Sequence, residues 1–148
     1  MSTIAYRDGQ MAADTGMTGS NGSHLLHTHK IVKRADGALI GAVGDAAYAA
    51  AFLKWAVDEV GPPPDAKRLD GSTDRGVIVR AIDAPWEIYE ARGMFSCFGP
   101  YFALGSGAPE ATGAMHAGAS AVDAVRAALA HDEGTFGEID VLNEQQSQ

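Results

Sequence analysis

One residue of this sequence could supply a nucleophile and a general base together, and that residue is Ser2. The initiator methionine is usually removed when the next side chain is this small, and Ser2 would then carry a hydroxyl and a free α-amine. An α-amine has a pKa of ~7.7–8.0, so a useful fraction is neutral near pH 7 and can accept a proton. A terminal hydroxyl residue therefore needs no histidine to become reactive. On this feature alone, the alternative that Ser2 is an ordinary second residue stays open.

This chemistry requires a rigidly held chain terminus and a nearby cation that keeps the amine neutral and stabilises the developing alkoxide. The dipeptide Asp8-Gly9 suits the positive φ angles of a two-residue hairpin turn. Pairing the flanking runs, 3–7 and 10–14, outward from that turn sets Ile4 opposite Ala13. The sequence therefore predicts that its first residues lie inside a sheet, which is unusual for a terminus.

The rest of the chain is predicted to group its strands and helices separately. Residues 15–29 are rich in Gly, Ser, Thr and His and are predicted to form a long loop, and residues 65–75 a polar linker. Apolar residues at three- and four-residue steps predict a helix over 45–60. The remaining predictions are strands at 30–34, 38–43, 76–82, 86–91, 94–98, 101–104 and 138–142, helices at 109–117 and 120–131, and a frayed tail at 143–148. This grouping favours an α+β layered sandwich over a βαβ arrangement.

Composition excludes several classes of protein. The 148 residues favour one domain spanning 1–148, and 46% hydrophobic content is ordinary for a globular chain. A net charge of −8 without a Lys/Arg stripe argues against binding nucleic acid or an anionic membrane. A single cysteine, Cys97, excludes an internal disulfide and suits a reducing compartment. No apolar run approaches the ~20 residues of a membrane span, and no signal peptide is visible, so we expect a cytoplasmic protein.

Three other patterns are weak signs of function. His24, His27 and His29 lie within six residues, but a flexible loop without a neighbouring acidic or cysteine ligand is a poor metal cage. Gly105-Ser106-Gly107 is similar to part of a phosphate-binding loop, but no Gly-Lys-Ser/Thr follows it. Cys97 lies in an apolar strand and is interpreted as a small core residue. The sequence therefore predicts neither a metal nor a cofactor.

Taken together, segments from Ser2 to Leu142 resemble the proteasome β-subunit superfamily. The resemblance is strongest to the HslV-type bacterial peptidases, which are N-terminal nucleophile hydrolases. Each segment alone is weak, but their joint order over almost the whole chain is fairly specific. The segments are Ser2–Gly9, Asp14 followed by Thr18, Lys30–Lys33, Ile40–Ala46, Gly105–Gly107, and His131–Thr135 followed by Ile139–Val141.

The resemblance implies a four-layer αββα sandwich and assigns roles to seven residues. Ser2 would attack the scissile carbonyl, in a position where the family usually has threonine, and its α-amine would carry the proton. Thr3 is the alternative nucleophile if Ser2 were also removed. The resemblance also implies that Lys30 places a positive charge beside the hydroxyl and that Asp14 pairs with this lysine. The backbone N–H of Gly41 would bind the oxyanion. Hydrogen bonds to the terminal amine would come from Ser106, Asp132 and Thr135.

The expected function is therefore hydrolysis of polypeptide amide bonds after removal of Met1. The resemblance also implies a homo-oligomeric ring, hexameric or heptameric and possibly stacked, with an ATP-dependent unfoldase as partner. Two alternatives stay open at this stage. One is a catalytically inactive ring or scaffold subunit with the same fold, and the other is a small-molecule amidase of the same superfamily.

Overall fold

The computed structural model describes residues 2–18, 26–65 and 73–144. Those ranges contain eleven strands and three helices. The strands are β1 Thr3–Arg7, β2 Gln10–Asp14, β3 Gly16–Met17, β4 Leu26–His27, β5 Ile31–Lys33, β6 Leu39–Val43, β7 Arg75–Val79, β8 Trp86–Glu90, β9 Gly93–Cys97, β10 Tyr101–Gly105 and β11 Ile139–Asn143. The helices are α1 Ala46–Asp58, α2 Ala108–His116 and α3 Ala121–His131. None of these helices has the length and hydropathy needed to span a bilayer.

Two antiparallel sheets carry the fold. The first has four strands in the order β10-β1-β2-β11, so the terminal strand β1 lies in its interior. The second has five strands in the order β5-β6-β7-β8-β9. A separate ribbon, β3-β4, interrupts the long loop predicted for residues 15–29. Residues 19–25 of that loop and 66–72 of the predicted linker lie outside the described residues.

The sheets stack face to face and each carries helices on its outer face. Successive side chains of a strand point to opposite faces, so Ile4 of β1 packs against the second sheet while the next residue, Ala5, packs against α2 and α3. In the same way Leu39 of β6 faces the first sheet and Ile40 faces Phe52 of α1. The layers are therefore α1, the second sheet, the first sheet, and α2 with α3. This is the αββα sandwich that the resemblance predicted.

The hairpin that ties down the terminus has the predicted register. Ile4 is opposite Ala13, and the turn residues Asp8 and Gly9 have φ angles of 52° and 78°. The prediction of a frayed tail from residue 143 is wrong at its first position. Asn143 is still paired with β2, whose side away from β1 is occupied by β11, and residues 145–148 lie outside the described residues.

Candidate active site

Ser2 lies at the start of β1, where two cavities meet. Its side chain is 5% exposed, and the residue lines both a cavity of about 600 Å³ and a smaller one of about 300 Å³. The next residue, Thr3, is fully buried. Interior placement of β1 in the first sheet therefore holds Ser2 at the cavity wall and keeps Thr3 inside the protein.

A buried ion pair lies beside Ser2. Lys30, which also lines the larger cavity, places Nζ 2.9 Å from Oδ1 of Asp14. Both side chains are almost fully enclosed, at 5% and 0% exposure. Burial lowers the pKa of Lys30, and the charge of Asp14 opposes that shift. Among the described residues Nζ contacts no acceptor besides this carboxylate, and the atom itself is enclosed.

Backbone N–H groups hold the carboxylate of Asp14 in place. The N–H of Thr3 donates to Oδ1 at 2.9 Å, and the N–H of Phe136 donates to Oδ2 at 3.1 Å. These donors come from β1 and from the segment before β11, the two neighbours of β2 in the sheet. Asp14 is therefore held by two backbone N–H groups in addition to its contact with Lys30, and it keeps the ammonium beside it.

A chain of hydroxyl groups ends at Asp132. Ser106 and Thr135 both donate to Oδ2 of Asp132, at 2.7 and 2.6 Å. Because Thr135 uses its only proton there, the 2.6 Å bond between Thr3 and Thr135 is donated by Thr3. Ser106 Oγ also lies 3.4 Å from the carbonyl oxygen of Ser2. The structure thus brings these predicted residues together around Ser2 and Thr3, and a bond to the Ser2 nitrogen stays a prediction.

The glycines of the Gly-Ser-Gly segment give the terminal strand room to approach. Gly105 has a φ of +101°, and a Cβ there would collide with the carbonyl group of Ser2. A Cβ on Gly107 would collide with the hydroxyl of Thr3 and would lie 2.7 Å from the Cβ of Ala128. The motif is therefore needed for close backbone packing, which the sequence alone did not indicate.

The structure does not bring Gly41 to Ser2. Gly41 lies in the middle of β6, and a Cβ at this position would point into the core, 2.9 Å from Ile4. The N–H of Ala42 donates to the carbonyl of Lys30 at 3.1 Å. Consecutive N–H groups of a strand point to opposite sides, so the N–H of Gly41 points to β7 and belongs to the sheet ladder.

Gly44 is the backbone group that reaches the site instead. It follows the last residue of β6, so its N–H lies beyond the paired part of the strand. The alternation along β6 directs that N–H to the same side as the N–H of Ala42, toward Lys30. Gly44 also lines both cavities beside Ser2. The resemblance included Gly44 only as part of the segment Ile40–Ala46 and assigned it no role.

Comparison with known proteins adds an architectural match. No family model matches the sequence, and no curated protein matches it. Among solved structures, BPH of Thiobacillus denitrificans, a bacterial proteasome homologue, has a TM-score of 0.64 and 20% identity over 99% of both chains. HslV of Trypanosoma brucei has a TM-score of 0.68 and 19% identity over 95% of this chain and 97% of its own. The chain has an HslV- and proteasome-like fold.

A second structure of Thiobacillus denitrificans BPH was solved in complex with epoxomicin. It matches with a TM-score of 0.62 and 19% identity, over 98% of this chain and 99% of that one. At these identities the comparison establishes the HslV- and proteasome-like fold of the chain and nothing about its chemistry.

In this proteasome-like chain the larger cavity is lined by both apolar and polar side chains. The apolar ones come from β3, the end of β6 and one side of α1, and the polar ones from the segment before β5 and from the residues next to β3 and α1. The apolar lining residues are Met17, Ala42, Val43, Ala46, Ala49, Ala50 and Leu53, and the polar ones are Thr18, Thr28, His29, Lys30 and Asp45. Such a lining suits a substrate with an apolar side chain and polar backbone.

His29, one of the polar lining residues, forms an exposed ion pair. Its Nδ1 lies 2.6 Å from Oδ2 of Asp140, and this hydrogen bond raises the pKa of His29. Because the pKa of His29 is higher in the folded state, the pair adds its full contribution to the free energy of unfolding below the pKa of the unfolded chain. That contribution is lost as the pH rises through the folded-state pKa.

We expect Asp140→Asn to lower the pKa of His29 toward its ordinary value, because the charged acceptor is removed. An NMR titration of the imidazole measures this directly. Glu138→Gln changes a carboxylate that lines a cavity with His29 and serves as the matched control. An equal shift in both variants would contradict the assignment of the partner.

The other predicted sites can be placed as follows. His24 lies outside the described residues, and within the described ranges no three His, Cys, Asp or Glu side chains group closely enough to hold a metal ion. Cys97 ends β9 and packs against the core between the sheets. Burial raises the pKa of its thiol, which disfavours the reactive thiolate.

Proposed function

We propose that this chain is a peptidase subunit in which Ser2, once it is the first residue, attacks polypeptide amide bonds. The observation that carries the proposal is the position of Ser2, at the junction of two cavities and beside the buried Lys30–Asp14 pair. A hydroxyl, a fixed ammonium and open space for a substrate are the parts that nucleophilic catalysis requires.

In the proposed reaction, the α-amine of Ser2 takes the hydroxyl proton while Oγ attacks the carbonyl carbon. The tetrahedral oxyanion accepts a hydrogen bond from the N–H of Gly44, and the ammonium of Lys30 stabilises negative charge on Oγ. The C–N bond then breaks, and the protonated α-amine returns its proton to the leaving amine. Water, deprotonated by the same amine, then attacks the acyl ester. The bond between the acyl carbon and Oγ breaks, the protonated amine returns the proton to Oγ, and the new carboxyl group leaves with the product.

Ser2 is favoured over Thr3 as the nucleophile. Thr3 has no exposed surface, its hydroxyl proton is donated to Thr135, and its N–H is donated to Asp14. A residue whose donors are engaged inside the protein lacks the freedom to attack a substrate. Ser2, in contrast, faces the cavities where a substrate can enter.

The proposed substrate is an unfolded polypeptide with an apolar side chain beside the scissile bond. Support comes from the apolar wall that α1 contributes to the larger cavity. Thiobacillus denitrificans BPH, a protein of this fold, binds epoxomicin, and we propose that the corresponding cavity here takes the substrate. By the same likeness we propose a homo-oligomeric ring, hexameric or heptameric, with an ATP-dependent unfoldase as partner in the cytoplasm.

The experiment compares two forms of the protein that differ only ahead of Ser2. In one form a cleavable fusion is removed to leave Ser2 first, and in the other one glycine remains before it, as verified by intact mass. We expect only the first form to hydrolyse fluorogenic peptides and casein, because only that form has the α-amine. Epoxomicin should raise the Tm of the first form alone.

Each other outcome has a definite meaning. Equal hydrolysis by both forms would contradict the amine as base. Absence of hydrolysis from both, in a protein that assembles into rings, would favour the inactive scaffold. Hydrolysis of simple amides without cleavage of peptides would favour the amidase.

A further inference from the structure

We infer that Asp74 is a positioning residue, which immobilises the Gly44–Asp45 turn and thereby keeps the N–H of Gly44 aimed at the oxyanion. This inference rests on the proposed function, since it assumes that a reaction at Ser2 uses that N–H. Asp74 was not among the residues that the sequence singled out.

The carboxylate of Asp74 reaches from one strand to the end of its neighbour. Asp74 immediately precedes β7 and is 4% exposed. Its Oδ1 accepts the N–H of Asp45 at 2.8 Å. Asp45 caps α1 with its own side chain, which accepts the N–H of Tyr48, so its N–H lies between the end of β6 and the first turn of the helix. Asp74 supplies the acceptor that neither element provides there.

Asp74 also occupies the space where a side chain of residue 44 would lie. Gly44 has a φ of +109°, and a Cβ there would collide with Oδ1 of Asp74 and lie 2.6 Å from its Cα. The glycine at position 44 and the acid at position 74 therefore fit each other. The residues flanking Asp74, Thr73 and Arg75, line the smaller cavity together with Ser2 and Gly44.

The contact matters because glycine has little conformational preference of its own. The peptide before Gly44 is held by pairing of Val43 with Arg75 across β6 and β7. The peptide after it is held by the bond from Asp45 to Asp74. With both ends fixed, Gly44 keeps one conformation. Without Asp74 the second restraint is lost, and the turn can rotate away from the site.

The test compares Asp74→Asn, which keeps an oxygen at the same position, with Asp74→Ala and Asp74→Glu, which remove or displace it. We expect Asp74→Asn to keep kcat within about threefold, because the acceptor remains. Asp74→Ala and Asp74→Glu should lower kcat by roughly 10- to 100-fold, less than the ~10²–10³ lost with an oxyanion donor. KM should change little, since the N–H acts on the transition state.

Hydrogen exchange at the Asp45 amide provides a readout that does not depend on activity. We expect faster exchange in Asp74→Ala and Asp74→Glu than in wild type, and unchanged exchange in Asp74→Asn. Asp58→Ala is the matched control, because Asp58 accepts the N–H of Val60 at the opposite end of the same helix. That variant should leave kcat unchanged.

Three results would overturn the inference. One is wild-type kcat in Asp74→Glu or Asp74→Ala, the second is a loss in Asp74→Asn equal to that in Asp74→Glu, and the third is unchanged Asp45 exchange in all variants. Because Asp74→Glu keeps the charge, it decides the question even if the alanine variant does not fold. An inactive wild type would instead contradict the proposed function, and the exchange measurements would still report whether Asp74 holds the turn.

Discussion

Replacing Ser2 with alanine is expected to lower kcat/KM for peptide hydrolysis by ~10⁴-fold or more, the scale seen when a nucleophile is removed. The change deletes the only atom that can form the acyl ester in the proposed reaction. It should leave the Tm nearly unchanged, because Ser2 borders two cavities and packs few atoms that alanine lacks. Progress curves with a fluorogenic peptide, measured on the form that begins at residue 2, test the prediction.

Two further variants make the result specific to Ser2. Ser2→Thr keeps a hydroxyl beside the amine and should retain activity. Thr3→Val removes the buried hydroxyl that donates to Thr135, and it should cost about 1–2 kcal/mol of stability while cleavage continues. Cleavage that survives in Ser2→Ala and disappears in Thr3→Val would make Thr3 the nucleophile.

Replacing Lys30 with methionine is expected to abolish peptide hydrolysis and to lower the free energy of unfolding by about 3 kcal/mol. The activity falls because the cation beside Ser2 is lost. The stability falls because Asp14 is left charged at 0% exposure, and removing one partner of a buried pair costs ~3–5 kcal/mol. The low end applies because two backbone N–H groups still bind the carboxylate. Urea denaturation measures the change.

The double variant Asp14→Asn/Lys30→Met should be more stable than Lys30→Met, since no unpaired charge remains buried. Arg126→Met breaks the exposed pair with Asp123 on α3 and should change stability by less than ~1 kcal/mol. A similar loss in Arg126→Met and Lys30→Met would contradict the argument from burial. Inactivity of the double variant would separate the catalytic role of the lysine from its structural one.

The pH dependence of stability provides a second measure of the same pair. Burial lowers the pKa of Lys30, so the unfolded chain binds more protons than the folded one between the two pKa values. Stability of the wild type should therefore rise with pH in that window, as the cost of burying the ammonium disappears. Lys30→Met should lack this rise in denaturation curves recorded at increasing pH.

Local sequence patterns predicted most of the elements because their causes are local. Asp8-Gly9 favours a two-residue turn, and its position alone determines that Ile4 lies opposite Ala13. Asp45 can cap a helix wherever apolar residues follow at helical spacing. An element boundary that depends on a distant partner was predicted wrongly. Asn143 was predicted to be frayed, but it pairs with β2, more than a hundred residues away in the sequence.

Residue identities also indicated the candidate nucleophile, but not the groups that surround it. Ser2, Asp14 and Lys30 come from three separate segments, and only a resemblance to known proteins suggested that they meet. The resemblance also assigned the oxyanion-binding N–H to Gly41, which the strand pairing does not support. Gly41 and Gly44 lie three residues apart in the sequence, and only the pairing of β6 with β5 and β7 shows that the N–H of Gly41 is bound within the sheet.

The amino-acid sequence alone determined the reactive residue type, the hairpin that anchors it and all strands and helices except the short β3-β4 ribbon, because these depend on neighbours within a few positions. The tertiary structure decided which N–H groups of β6 are bound within its sheet, why Gly105 and Gly107 must lack side chains, and that Asp74 reaches the turn after β6. Those features depend on distances between segments far apart in the chain, and such distances exist only once the two sheets have packed.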